Sequence, residues 1–63
     1  MKIHPLSDTV RITIQKSFGQ NVARIEQKQD NKWNFVKRRY FELDVRLPIL
    51  ATMEQLAKQE KLI

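Results

Sequence analysis

The sequence predicts an α+β fold in which a three-stranded antiparallel sheet, a β-meander, is followed by one C-terminal amphipathic helix. Apolar and polar residues alternate in the first half of the chain, and strong helix formers fill the last third. The chain has 63 residues, enough for one domain. We therefore predict a single β-β-β-α domain over residues 9–63, preceded by a loosely held N-terminal arm over residues 1–8.

The first two strands are predicted from alternation and from the turns beside them. β-Branched residues alternate with polar ones over residues 10–15, "VRITIQ", and residues 22–29, "VARIEQKQ", alternate in a similar way. Between them, "FGQN" at 18–21 contains Gly19, the chain's only glycine, which supplies the positive φ of a tight turn. "QDNK" at 29–32 has the Asp and Asn of a second turn.

The segment "KWNFVKRRYFEL", residues 32–43, supports two interpretations. Its aromatic and β-branched residues favour a third strand, and a bulge near Val36 would switch the facing of its second half. In the strand we expect Phe35 and Phe41 in the core. A helical stripe is the alternative, which gives a β-hairpin plus two helices. The stripe consists of Trp33, Val36, Tyr40 and Leu43.

The last segment, "LPILATMEQLAKQEKLI", predicts one amphipathic helix. Pro48 is tolerated in a first turn, because its missing N–H would have no partner there, and Asp44 is a candidate N-cap for an earlier start. A chain of this size has a small core and often needs self-association for stability. We therefore predict a homodimer whose interface consists of Ile49, Leu50, Met53, Leu56 and Ala57.

The charge of the chain is positive and unevenly distributed. Twelve Lys and Arg against seven Asp and Glu give a net charge of +5, and the isoelectric point is about 10.0. Residues 1–41 carry a net charge of +6 and residues 42–63 a net charge of −1. A concentrated basic charge is typical of a protein that binds a polyanion.

Catalysis is not expected from this sequence. There is no cysteine, no glycine-rich phosphate loop and no recognisable nucleophile motif around Ser7 or Ser17. His4 is the only histidine, and no carboxylates cluster near it, so we predict no metal site and no cofactor. The N-terminus lacks the apolar region of a secretion signal, and no apolar run approaches a membrane span, so we expect a cytoplasmic protein.

The aromatic and basic residues together indicate nucleic-acid binding. Lys and Arg side chains that neutralise phosphates release the counterions bound to them, which favours binding. Unpaired bases stack on aromatic side chains. The residues predicted to bind nucleic acid are Arg11, Lys16, Arg24, Lys28, Lys32, Trp33, Lys37, Arg38, Arg39 and Tyr40.

The order of "VRITIQKS", a glycine turn, "VARIEQKQ", a second turn, "FVKRRYFEL" and the helix "LPILATMEQLAKQ" resembles the single-stranded-DNA-binding transcriptional coactivator family. The resemblance covers residues 9–60 and lies in element order and charge. It implies a curved antiparallel sheet that binds unpaired strands, dimerisation through the helix, and a role in transcription or in replication and recombination. Backbone binding would then fall on Lys37, Arg38 and Arg39, with Arg24 and Lys28 beside them.

Two alternatives remain open. The chain also resembles the three-stranded domains that precede integrase catalytic domains, which implies that Arg11, Arg24 and Arg39 read base edges in duplex DNA. The other alternative is a small interaction module or inhibitor whose basic face meets an acidic protein partner.

Overall fold

The computed structural model describes residues 1–42 and 48–63. It confirms an antiparallel sheet followed by a C-terminal helix, but the sheet has four strands rather than three. Within the described part of the chain, no helix is long and apolar enough to cross a membrane. The strands lie side by side in sequence order, and the elements are β1 (Lys2–Pro5), β2 (Val10–Ser17), β3 (Gln20–Gln29), β4 (Lys32–Glu42) and α1 (Pro48–Gln59).

The additional strand, β1, lies where the sequence predicts a loose arm. It pairs antiparallel with β2, from Lys2 opposite Ile14 to Pro5 opposite Arg11, so the arm prediction is wrong for these residues. These four residues end in proline and contain one large apolar side chain, Ile3, so their sequence is a weak strand signal, and the pairing with β2 is what makes them a strand. Proline is tolerated here because β1 is an edge strand. The Ser7 hydroxyl then accepts the backbone N–H of Val10 at 3.1 Å in the connection to β2.

Two-residue hairpin turns join β2 to β3 and β3 to β4, as predicted. Phe18 and Gly19 have φ values of 50° and 76°, and Asp30 and Asn31 have values of 51° and 62°. Positive φ at both central residues is the signature of a type I′ turn, which favours Asn, Asp and Gly. Asp30 and Asn31 follow that preference, whereas Phe18 departs from it at a cost of about 1–2 kcal/mol.

The segment from Lys32 to Glu42 is the strand β4, and the helical alternative is wrong. Lys37 pairs with Ile25, whereas Phe35 pairs with Glu26, so Val36 is an extra residue in the ladder. This is the bulge that the sequence predicts at Val36. Leu43, the last member of the helical stripe, lies outside the described residues.

The core lies between α1 and one side of the sheet. Ile12 and Ile25, which are directly opposite each other, and Met53 of α1 are fully buried. Burying side chains of this size contributes about 1.5–3 kcal/mol each. Among the described residues, the buried apolar side chains are Val10, Ile12, Ala23, Ile25, Ile49, Met53, Leu56 and Ala57, with Leu6, Ile14, Val36, Phe41 and Leu62 packed around them.

The helix α1 begins at Pro48, where a missing backbone N–H costs no intrahelical hydrogen bond. At its end the Leu62 N–H donates to the Ala57 carbonyl at 2.9 Å, and the Lys61 N–H donates to the Lys58 carbonyl at 3.0 Å. These bonds form a Schellman motif with Lys61 in the left-handed conformation, at φ 60°. Leu62 thereby packs on the core, which accounts for an apolar residue so close to the end of the sequence. The candidate cap Asp44 lies outside the described residues.

Candidate functional site

The sheet has two sides of different character. Side chains alternate along each strand, and directly paired residues point to the same side. One side packs against α1, and we call it the helix side. The other side, which we call the open face, has no element packed on it among the described residues. Its central row runs from Thr13 of β2 through Arg24 of β3 to Arg38 of β4.

Three aromatic side chains of β4 lie on the open face: Trp33, Phe35 and Tyr40. Phe35 is 50% exposed and Tyr40 is 52% exposed, so the prediction that Phe35 belongs to the core is wrong. Phe41, the other residue predicted in the core, packs beside it as expected. The bulge decides this arrangement. If Val36 were instead paired in a regular ladder, strict alternation would place Trp33 and Phe35 on one side of β4 and Tyr40 on the other.

An arginine lies over each of these aromatic rings. The guanidinium carbon of Arg11 is 4.1 Å from the centre of the Trp33 ring. The corresponding distances are 4.9 Å from Arg24 to Phe35 and 5.7 Å from Arg38 to Tyr40. Such cation–π contacts contribute about 0.5–1 kcal/mol at exposed positions. Arg24 and Arg38 are exposed, so their guanidinium groups lie above the sheet where a ligand can reach them.

The three arginines are not equivalent. The Arg11 Nε donates to Glu26 Oε1 at 2.8 Å, and both side chains are largely buried. Much of the Arg11 charge is therefore neutralised by the Glu26 carboxylate, and the main role of Arg11 is to fix the position of Trp33. Within residues 1–42 and 48–63, Arg24 and Arg38 form no ion pair with a carboxylate.

Arg24 and Arg38 lie directly opposite each other on neighbouring strands. Like charges directly opposite each other on neighbouring strands destabilise a sheet. An anion bound between or above the two guanidinium groups would remove this repulsion. Arginine also presents a planar set of donors that matches the geometry of a phosphate. This pair therefore forms the part of the open face best suited to an anionic ligand.

The predicted binding residues divide between the two sides of the sheet. Six lie on the open face: Arg11, Arg24, Lys28, Trp33, Arg38 and Tyr40. Four lie on the helix side: Lys16, Lys32, Lys37 and Arg39. The basic triplet is thus split, and Lys37 Nζ is 2.7 Å from Glu60 Oε1 next to the end of α1. The triplet does not form one binding element.

The residues predicted as a dimer interface serve mainly the core of the single chain. Ile49, Met53, Leu56 and Ala57 are buried, with Met53 and Ala57 fully so, whereas Leu50 is 38% exposed. Of the five predicted contacts, only Leu50 presents a substantial surface to a second chain.

Phe35 and Phe18 belong to this region but are absent from the predicted set. The bulge predicted at Val36 could have identified Phe35 as a residue of this region, because it places Phe35 on the same side of β4 as Arg38. Phe18 lies at the β2–β3 turn with its whole surface exposed. Together with Tyr40 and Arg38 it lines a shallow pocket of about 270 Å³ at that end of the open face.

Comparisons with known proteins do not extend this description. No protein-family model matches the chain, and no curated protein or solved structure matches it at a significant level.

Proposed function

We propose that this protein binds single-stranded nucleic acid, with single-stranded DNA preferred, through the open face, and that it is not an enzyme. The observation that carries the proposal is the row of Trp33, Phe35 and Tyr40, each with an arginine over its ring. Base–aromatic stacking contributes about 1–3 kcal/mol per base and tolerates any sequence. Arg24 and Arg38 supply cations for the phosphates between the bases.

The same geometry supports a single strand over a duplex. Exposed aromatic faces are useful to unpaired bases, which leave their own faces free for stacking. Duplex recognition through Arg11, Arg24 and Arg39 requires the three side chains to enter one groove. Arg39 pairs opposite Ala23 and faces the helix side, whereas Arg11 and Arg24 face away from it. The three residues therefore cannot act together from one side of the sheet.

The direct test is a titration of the intact protein with short oligo-dT, monitored by the fluorescence of Trp33, the chain's only tryptophan. Stacking on or near the ring should quench the emission. With Arg24, Arg38 and Lys28 as phosphate contacts, the logarithm of the affinity should fall with the logarithm of salt concentration with a slope of about −2. Oligo-rU and a matched duplex in parallel titrations separate DNA from RNA and single from double strands.

If the protein bound none of these nucleic acids at low salt, that result would contradict the proposal. Capture of an acidic protein after nuclease treatment, together with absent oligonucleotide binding, would support the interaction module instead. Tighter binding to the duplex than to oligo-dT would refute the single-strand preference.

We extend the proposal to a homodimer located in the cytoplasm, with a role in transcription or in replication and recombination. The small core of a 63-residue chain favours self-association, and the absence of cysteine fits a reducing compartment. Light scattering at micromolar concentration tests the dimer, because a mass of 7.6 kDa would identify a monomer.

A further inference from the structure

The β2–β3 turn contains a residue that neither turn chemistry nor the core explains. Phe18 occupies the first central position of a type I′ turn with φ 50°, where Asn, Asp or Gly is favoured. The second hairpin of the same chain uses Asp30 and Asn31 in the equivalent positions, so this fold accommodates the usual residues. A backbone conformation disfavoured for an aromatic residue often marks a functional position.

Burial does not compensate for this conformation. The relative exposure of Phe18 is 103%, so its side chain makes no packing contact that would stabilise the protein. The other strongly exposed aromatic residues, Phe35 and Tyr40, belong to the open face and have arginines over their rings. Phe18 has no such partner among the described residues, and its ring is available to a ligand from both faces.

The surroundings of Phe18 have the chemistry of a nucleotide subsite. Phe18 and Tyr40 line the same shallow pocket of about 270 Å³, and Gln15 and Gln20 are also among its lining residues. The volume is just below the range of about 300–1,000 Å³ that drug-sized ligands occupy, so it suits a group as small as one base. Each glutamine amide offers a donor and an acceptor to the edge of a base.

The charge beside the pocket completes this arrangement. Arg24 and Arg38 also line the pocket. Among the described residues neither guanidinium has a carboxylate partner, so both can donate hydrogen bonds to the phosphate attached to a base held there.

We propose that the pocket at the β2–β3 turn holds one unpaired nucleobase, which stacks on Phe18 while Arg38 contacts its phosphate. This subsite rests on the proposed function and extends the row of Trp33, Phe35 and Tyr40 to the end of the sheet. Phe18 is then a ligand-binding residue whose unfavourable turn conformation is retained for recognition.

The variant Phe18→Asn separates binding from folding. Asparagine followed by Gly19 is a preferred type I′ pair, so the thermal midpoint of this variant should equal or exceed that of the wild type. Its affinity for oligo-dT should fall by about 5- to 150-fold, as expected for the loss of one stacked base. The salt slope should not change, because no cation is removed. Phe18→Tyr keeps an aromatic ring and should bind like the wild type.

An abasic oligonucleotide of the same length is the matched ligand control, because it has the phosphates without the bases. The wild type and Phe18→Asn should bind it equally. An equal loss on both ligands would overturn the stacking role of Phe18. Unchanged oligo-dT affinity in Phe18→Asn, with weakened binding in Arg38→Ala, would overturn the subsite and leave the proposed function intact. Absence of any oligonucleotide binding by the wild type would overturn both.

Discussion

Arg38 and Arg39 are neighbours with the same charge, but they lie on opposite sides of β4. Arg38 lies over Tyr40 on the open face, whereas Arg39 is paired with the buried Ala23 and faces the helix side. The two residues have the same side chain and adjacent positions in the sequence, and they differ only in the side of the sheet that they face. They form a matched pair for testing whether the proposed nucleic-acid binding uses the open face.

We expect Arg38→Ala to weaken binding of oligo-dT and to reduce the magnitude of the salt slope by about 0.7, the value for one phosphate contact on a single strand. Arg39→Ala should leave both quantities close to those of the wild type. Fluorescence titrations at several salt concentrations measure the two effects. Equal losses in the two variants would indicate that net charge, rather than the open face, governs binding.

Lys61 offers a separate prediction about stability. It adopts φ 60° at the position that follows the end of α1, where glycine is the usual residue. Lys61→Gly should raise the free energy of unfolding by about 0.5–1 kcal/mol, because glycine occupies this conformation without a steric penalty. Urea unfolding measures the change. Lys58→Gly, within the helix, is the control and should destabilise the protein by about 1 kcal/mol.

At the scale of elements, the helix α1 completes the core of its own chain. Met53 is fully buried against the sheet, so Met53→Ala should lower the free energy of unfolding by about 2–5 kcal/mol. That is a large fraction of the stability of a domain this small. Gln55→Ala, at an exposed position of α1, should have little effect.

Protein concentration shows whether Met53 acts within one chain or between two. If Met53 packs within one chain, the loss of stability caused by Met53→Ala does not change with protein concentration, whereas for a contact between chains this loss depends on concentration. We expect the loss to be independent of protein concentration. A loss that disappears at high protein concentration would assign Met53 to a dimer interface.

The bulge in β4 is the element that assembles the open face. Val36 is the extra residue, so its deletion should restore a regular ladder while Trp33, Phe35, Arg38 and Tyr40 keep their common side. Because Val36 packs against the core, the deletion should lower the unfolding midpoint. Affinity for oligo-dT should stay within about threefold of the wild type, since less than 1 kcal/mol separates such affinities.

Val36→Ala, which keeps the number of residues, is the control for lost packing. A folded deletion variant that no longer binds oligo-dT, beside a Val36→Ala variant that does, would contradict this description of the register.

At the scale of the whole molecule, ligand binding should be visible as stabilisation. A ligand that binds only the folded state at 100 times its dissociation constant adds about 2.7 kcal/mol to the free energy of unfolding. For a domain of this size, about 1 kcal/mol corresponds to roughly 4–8 °C in the thermal midpoint. Oligo-dT should therefore raise the midpoint by about 10–20 °C.

Salt provides the check on this thermal shift. The increase caused by oligo-dT should shrink as salt is added, because phosphate contacts are screened and counterion release is weakened. The midpoint of the protein without oligonucleotide provides the baseline at each salt concentration. A midpoint that oligo-dT does not change at low salt would contradict binding to the folded protein.

The sequence by itself determined the elements whose pattern is local. Alternation identified β2 and β3, the residues of the two turns placed the hairpins, and the strong helix formers after Pro48 identified α1. These features depend on propensity and on periodicity within a few residues, so they can be read without knowledge of the rest of the chain.

Only the tertiary structure decided β1, the division of the basic residues and the packing of α1. Lys2–Pro5 becomes a strand because the edge of β2 is available to it. The facing of Arg38 and Arg39 depends on where one extra residue enters the ladder, since a shift of one residue reverses every side chain in a strand. Sequence predicted a bulge near Val36, but pairing with β3 was needed to show that it places Phe35 beside Arg38 and away from the core.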